Sequence, residues 1–160
     1  VHIEPMGVYS SRLKSLAELG RKDRVAIPND PANGGRALRL LADAGLIKLR
    51  EGAGAGATPR DIVGNPRRLR IVELEAAALP RALGDAAAAV INANYALAAG
   101  LDPARDALAP DSGDSPYANV KAVREGDGRE ALGKLAEALR SPAVRDFLES
   151  RYKGAVLPAF

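Results

Sequence analysis

The sequence contains no cysteine and no tryptophan, a single histidine, and only 4% aromatic residues among its 160 positions. Without cysteine, the chain has no disulfide framework, no thiolate zinc site and no cysteine nucleophile. The only histidine is His2, near the start of the chain, so neither a catalytic triad nor a histidine metal cluster is expected. The few aromatic side chains provide little material for a pocket that encloses an organic side chain.

Several motifs that are typical of enzymes are also absent. The sequence has no Gly-x-Ser-x-Gly, no Walker A motif and no Gly-x-Gly-x-x-Gly. Its carboxylates stand among basic residues on faces that are expected to be exposed, which favours solvated or helix-capping acids over a catalytic pair. The sequence therefore predicts a protein that is not an enzyme and that uses no metal and no cofactor.

The composition is otherwise that of a soluble globular domain, with 47% hydrophobic and 27% charged residues. No apolar run reaches the roughly 18 residues that are needed to span a bilayer. The net charge is +3, and the basic cluster at 67–70 lacks the interleaved aromatic residues that a nucleic-acid surface would need. We expect a solvated loop there and no nucleic-acid partner.

Short apolar runs alternate with helical segments along much of the chain. The pattern predicts strands at 25–27, 70–75 and 88–91 and helices at 33–44 and 75–83. Strands that are separated by helices usually pair in parallel through right-handed crossovers, which indicates an α/β fold. A polar stretch at 111–114 then precedes an extended segment and two C-terminal helices, and it suggests a crossing to a second lobe.

The first candidate binding site follows the strand at 25–27. In open α/β sheets, ligands bind beyond the carboxyl ends of the strands. Asn29 and Asp30 stand at such an end, and the sequence Gly34, Gly35, Arg36 opens the next helix. Backbone N–H groups at a helix N-terminus favour an anion, and an arginine adds a two-donor clamp for a carboxylate. The alternative interpretation is a capped turn with an exposed arginine.

Two further stretches have a similar character. Asn92 and Asn94 follow the strand at 88–91, although a turn at Asn92 and a helix cap at Asn94 would produce the same pattern. Tyr117 and Asn119 fall on one face of the extended segment. The three stretches are consistent with one crevice.

Several segments of the chain resemble the NlpA-type methionine-binding lipoproteins, which are the substrate-binding components of bacterial methionine ABC importers. These segments are VHIEPMGVYS (1–10), IPNDP (27–31), GRAL (35–38), LI (46–47), IVELEAA (71–77), LPRAL (79–83), AVIN (89–92), DSPYAN (114–119) and YKGAV (152–156). They occur in the same order as in the family, and together they cover essentially the whole chain.

This resemblance implies a type II periplasmic-binding-protein fold, with two α/β lobes that are joined by two crossover strands and close on an amino acid. The chain would contain lobe two and the C-terminal part of lobe one. The implied segments are a crossover strand at 1–9, lobe two with a parallel-type sheet at 10–106, a polar loop and return crossover strand at 107–124, and C-terminal helices of lobe one at 125–160.

The function that the resemblance implies is capture of methionine or a close relative and delivery to the permease of an ABC importer, without catalysis. Alternative ligands are another amino acid or a methionine-containing dipeptide. An alternative to ligand binding is a fragment that binds nothing and only self-associates. By the same resemblance, Arg36 corresponds to an arginine that pairs with the ligand carboxylate. Asn92 and Asn119 correspond to asparagines that hydrogen-bond the amino-acid backbone, and Tyr117 and Asn94 are further candidates for ligand contacts.

Members of the family begin with a signal peptide, a lipid-modified cysteine and the first part of lobe one, none of which precedes Val1 in this sequence. The resemblance therefore implies a lipid-anchored periplasmic or cell-envelope protein of which this chain is a part. We expect such a part to form a homo-oligomer, because uncovered apolar side chains on its C-terminal helices favour association. These side chains are Leu132, Leu135, Leu139, Phe147 and Leu148.

Overall fold

The computed structural model describes residues 1–111 and 117–160 and divides into two compact units. The larger unit is Met6–Asp111, and the smaller unit combines Val1–Pro5 with Ser112–Phe160. The chain thus passes between the units twice, after Pro5 and after Asp111. The second passage coincides with the predicted polar stretch, of which residues 112–114 lie outside the described residues, as do Ser115 and Pro116 of the DSPYAN segment.

The described residues form nine strands and five α-helices. The strands are β1 His2–Ile3, β2 Met6–Tyr9, β3 Arg24–Pro28, β4 Lys48–Leu49, β5 Ile62–Gly64, β6 Arg70–Leu74, β7 Ala88–Asn92, β8 Ala109–Pro110 and β9 Leu157–Pro158. The helices are α1 Pro31–Asp43, α2 Leu79–Ala82, α3 Ala93–Ala98, α4 Glu130–Ala138 and α5 Pro142–Tyr152. Among the described residues, none of these helices is long and apolar enough to cross a membrane.

The larger unit is built on a five-stranded sheet with the order β6-β3-β7-β2-β8. Strand β3 pairs in parallel with β6 and β7, but β2 pairs antiparallel with both β7 and β8. Within the predicted lobe at 10–106, the three strands of this sheet, β3, β6 and β7, pair in parallel, whereas β2 and β8 lie outside those bounds. Strand β2 is antiparallel because it enters the sheet directly from the first passage, without a crossover helix, at the edge where β7 ends.

Helices cover both faces of this sheet, so its central strands are apolar on both sides. Val25 and Ile27 of β3 pack on the face that is covered by α1, whereas Ala26 packs on the opposite face with Leu79 of α2. Strand β7 alternates in the same way. A strand that is buried on both faces has the continuous apolar sequence that predicted β3 and β7.

Helix α1 begins two residues earlier than predicted. Asp30 is its N-cap and accepts a hydrogen bond from the backbone N of Asn33 at 2.9 Å, and Pro31 occupies the first helical position. The glycines in its second turn allow close packing. A Cβ on Gly34 would lie 2.9 Å from the carbonyl oxygen of Pro28, and a Cβ on Gly35 would collide with the carbonyl of Ala55.

The smaller unit contains a short antiparallel pair, β1 with β9, together with α4 and α5. The segment 1–9, predicted as a crossover strand, contains the two strands β1 and β2, and the division between the units falls between them. In the predicted return strand, the strand-like pairing within 117–124 is limited to one bridge, between Asn119 and His2. The cap of α5 is confirmed, since the side chain of Ser141 accepts from the backbone N of Val144 at 3.4 Å.

Candidate functional site at the carboxyl edge of the sheet

Polar side chains gather in the larger unit where the parallel strands β3 and β7 end. Asn29 and Asp30 follow β3, and Asn92 is the last residue of β7. Met6, the first residue of β2, lies opposite Asn92 in the register, and the backbone N of Asp111 donates to the carbonyl of Met6 at 2.7 Å. Both ends of the larger unit therefore lie at the sheet edge where ligands of α/β proteins bind.

Arg36 is the most buried charged side chain at this edge. It lies in the second turn of α1, is only 7% exposed, and pairs with Asp111. Its Nε and Nη2 both donate to Oδ2 of Asp111, at 2.9 and 2.6 Å. The interpretation of Arg36 as an exposed arginine in a capped turn is therefore wrong. Arg36 already holds a carboxylate in the two-donor geometry that the sequence predicted for a ligand.

Three further polar side chains form a hydrogen-bonded chain beside this pair. The side-chain amide nitrogen of Asn33 donates to both carboxylate oxygens of Asp30 at 3.1 Å. The amide nitrogen of Asn92 donates to Oδ1 of Asn33 at 2.8 Å. The Oδ1 atom of Asn92 is itself buried and has no partner in the described part of the chain. Such an oxygen accepts hydrogen bonds only, so a bound N–H group would satisfy it.

The helix N-terminus does not provide the anion site that the sequence predicted at Gly34 and Gly35. The backbone N of Gly34 donates within the helix to the carbonyl of Asp30 at 2.8 Å, and the carboxylate of Asp30 caps the first turn. Both glycines serve the close packing of α1 instead. The cation at this edge is therefore the side chain of Arg36 rather than the helix terminus.

Asn94 lies on helix α3 and is not among the hydrogen-bonded side chains described above. The helix begins at Ala93 rather than at Tyr95, with Asn92 in the N-cap position, so the prediction of Asn94 as the cap is wrong. Asn94 is exposed in the first turn. Its assignment as a ligand contact stays a prediction.

Tyr117 and Asn119 belong to the smaller unit. The backbone N of Asn119 donates to the carbonyl of His2 at 2.8 Å, and its carbonyl accepts from the amino group of Val1 at 2.6 Å. The side-chain nitrogen of Asn119 lies 3.3 Å from Nε2 of His2, which lies 3.2 Å from Oε1 of Glu4. Asn119 is exposed and Tyr117 is half-buried. The backbone of Asn119 is thus fixed by strand β1, and its side chain stays accessible.

Tyr9 is a buried polar group that belongs to the opposite face of the sheet. Its hydroxyl has no partner in the described part of the chain, and it packs with Leu79 and Ile91 rather than with α1. Burial, together with the nearby carboxylates of Asp106 and Asp102, raises the pKa of Tyr9 to about 12. The phenol therefore stays neutral and contributes to packing.

Asp30 and Asn33 lie in the stretch of the first candidate site, but their hydrogen bonds to each other were not predicted, and Asp111 was not predicted as a site residue. An Asp-Pro pair after an apolar run is a recognisable helix start, so Asp30 and the helix register could have been predicted from it. Asp111 has no comparable local signal, because its partner Arg36 is 75 positions away. Within the described residues, no group of three or more metal-ligating side chains occurs.

The mixed sheet with helices on both faces, and the polar residues at its carboxyl edge, define a protein with the type II periplasmic-binding fold. A solved relative, described as a nutrient binding protein from Burkholderia cenocepacia bound to methionine, has 50% sequence identity and a TM-score of 0.93, over 99% of this chain and 68% of that chain. Another, an ABC transporter periplasmic substrate-binding protein from Coxiella burnetii, has 47% identity and a TM-score of 0.92, over 99% and 67% of the two chains.

The sequence matches the family described as NlpA lipoprotein over residues 1–160, and the chain belongs to this family. A curated relative, the D-methionine-binding lipoprotein MetQ of Salmonella typhimurium, is 45% identical over 159 residues. The match covers 97% of this chain and 58% of that relative, so the chain spans little more than half of the relative's length. These relatives are binding proteins and not enzymes.

Proposed function

We propose that the protein binds methionine, or a close relative of methionine, and delivers it to an ABC importer in the membrane. The observation that carries the proposal is the buried guanidinium of Arg36 at the carboxyl edge of the sheet, where it already holds a carboxylate in two-donor geometry. The relatives support the choice of ligand, since one is named for D-methionine binding and another contains methionine.

Arg36 provides the anchor for the α-carboxylate of the ligand. A guanidinium presents its N–H donors in a planar fork, and this fork fits a carboxylate more closely than the ammonium group of a lysine does. Because the side chain is only 9% exposed, its charge is poorly screened by water and salt, and its attraction for a carboxylate is stronger than at the surface.

Asn92 and Asn119 provide amide groups for the amino-acid backbone. The buried Oδ1 of Asn92 is an acceptor without a partner in the described residues, which suits the ammonium group of an amino acid. Asn119 has its backbone bonded to β1, so its side chain is presented from a fixed position. Tyr117 and Asn94 are proposed as further contacts. In this proposal the protein acts at the periplasmic side of a membrane, as a lipid-anchored binding protein without catalytic activity.

Calorimetric titration of the full-length protein tests this proposal. The ligands are L-methionine, D-methionine and glycyl-methionine, with another amino acid for comparison, and any copurified ligand is first removed. We expect saturable binding of methionine. A flat titration with ligand-free protein would contradict the proposal. Tighter binding of a different amino acid would identify that amino acid, rather than methionine, as the ligand.

Substitution of the arginine tests the site itself. Arg36→Lys keeps the charge but removes the planar fork, so we expect the Kd for methionine to rise at least tenfold, or about 1.4 kcal/mol. Arg39→Lys is the matched control, because Arg39 lies on the same helix and is exposed. Equal affinity of Arg36→Lys and the unaltered protein would show that the carboxylate binds elsewhere.

A second candidate is self-association of the chain 1–160. It is favoured by the exposure of Leu135 and Phe147, which are 47% and 55% exposed on α4 and α5. Light scattering on the freshly purified chain should then give a mass above 16.7 kDa. A monodisperse monomer would contradict this second candidate and leave the methionine proposal untouched.

A further inference from the structure

Asp111 occupies the arginine of the proposed binding site, and ligand capture alone gives no reason for a carboxylate there. Both hydrogen bonds of the pair end on a single oxygen, Oδ2 of Asp111. We propose that Asp111 is a specificity-determining residue, whose charge makes the Arg36 site select a ligand that carries a cation beside its carboxylate. This inference rests on the proposed function and concerns the same site.

The charges of Arg36 and Asp111 at the sheet edge offset one another. Arg36 contributes one positive charge, and Asp111, which is hydrogen-bonded to it, contributes one negative charge. An arginine that faced the ligand alone would favour any carboxylate. With the carboxylate of Asp111 bonded to it, the charge of Arg36 is offset, and a ligand that brings only a carboxylate also meets the negative charge of Asp111. A zwitterion brings its own positive charge and avoids this penalty.

The position of Asp111 keeps its charge at the site when a ligand binds. Its backbone N donates to the carbonyl of Met6 at 2.7 Å, and Met6 lies opposite Asn92 in the pairing of β2 with β7. The carboxylate is thus attached to the strand next to the one that carries Asn92. Its side chain is 17% exposed, so water and salt screen it incompletely. A charge that is fixed and poorly screened is suited to discriminate between ligands.

The test compares two ligands that differ in one charge. Methionine is a zwitterion, and its deamino analogue, 4-(methylthio)butanoate, keeps the side chain and the carboxylate but has no ammonium group. We expect the unaltered protein to prefer methionine strongly. In Asp111→Asn, which keeps the shape but removes the charge, we expect the ratio of the two affinities to fall about tenfold or more, because the analogue gains relative to methionine.

Two controls separate the charge from the fold. Asp111→Glu keeps the carboxylate and should retain the preference for methionine. Asp85→Asn changes the net charge equally but lies in an exposed position before the amino end of β7, at the opposite edge of the sheet from Asn92, and should leave the ratio unchanged. If Asp111 serves only the fold, Asp111→Asn should weaken the binding of both ligands equally and leave the ratio of their affinities unchanged.

Each result decides the matter. An unchanged ratio in Asp111→Asn, or an equal loss of both ligands, overturns the inference while methionine binding by the unaltered protein still supports the proposed function. If Asp111→Asn does not fold, the unaltered protein alone provides the decision, since equal affinity for methionine and its analogue overturns the inference. If the unaltered protein binds neither ligand, the proposed function itself is wrong.

Discussion

Helices α1 and α4 have similar apolar patterns in the sequence but different surroundings in the structure. Seven residues of α1 are buried, including Arg36 and Leu38, because the helix lies on one face of the five-stranded sheet. None of the nine residues of α4, all of which are described, is buried. The comparison shows that an amphipathic pattern predicts a helix, whereas the energy of the helix depends on the surface that is available to cover its apolar side.

The largest expected difference concerns the leucines of these two helices. Leu38 of α1 is fully buried, so Leu38→Ala should lower the free energy of unfolding by about 2–5 kcal/mol through lost apolar contacts and the cavity that remains. Leu135 of α4 is 47% exposed, so Leu135→Ala should change the free energy of unfolding by less than about 0.5 kcal/mol. Urea unfolding measures both. Similar losses in the two variants would mean that α4 is covered as well as α1 is.

A glycine in α1 should be nearly as sensitive as its leucine. A Cβ at Gly35 would collide with the carbonyl of Ala55 and lie 3.1 Å from the backbone N of Ala57. Because both contacts are with backbone, Gly35→Ala must move either the helix or the 54–56 turn, and we expect a loss of about 1–3 kcal/mol in urea unfolding. A stability equal to that of the unaltered protein would show that this turn yields without cost.

The smaller unit is tested through ligand binding. Asn119→Ala keeps the two backbone hydrogen bonds to His2 and Val1 and removes only the side-chain amide. If the proposed function holds, the loss of an amide that bonds a charged ligand group should weaken methionine binding by about 1–3 kcal/mol. Tyr117→Phe should cost less, because it removes one hydroxyl. Calorimetry on both variants measures the difference, and the reverse order would assign the main contact to Tyr117.

The sequence predicted those features of the fold that depend on neighbouring residues. The apolar runs predicted β3 and β7, and the Ser-Pro pair predicted the start of α5. The antiparallel direction of β2 could not be predicted in this way, because it depends on where the chain enters the sheet. The partner of Arg36 was likewise missed, since a pairing across 75 positions leaves no local pattern. At the site, residue types and strand ends indicated Arg36 and Asn92, but not the carboxylate of Asp111 that pairs with Arg36.

The smallest expected effect has the opposite sign and concerns the glycine of α4. Gly133 lies inside the helix, and an added Cβ would meet no described atom within 4 Å. Alanine restricts the unfolded chain more than glycine does and fits a helical backbone, so Gly133→Ala should raise the stability of α4 by about 0.5–1 kcal/mol. The helical signal in circular dichroism should then persist to slightly higher urea concentration. Since the same substitution at Gly35 is expected to destabilise the protein, a loss of stability at Gly133 as well would mean that α4 packs against a surface as closely as α1 does.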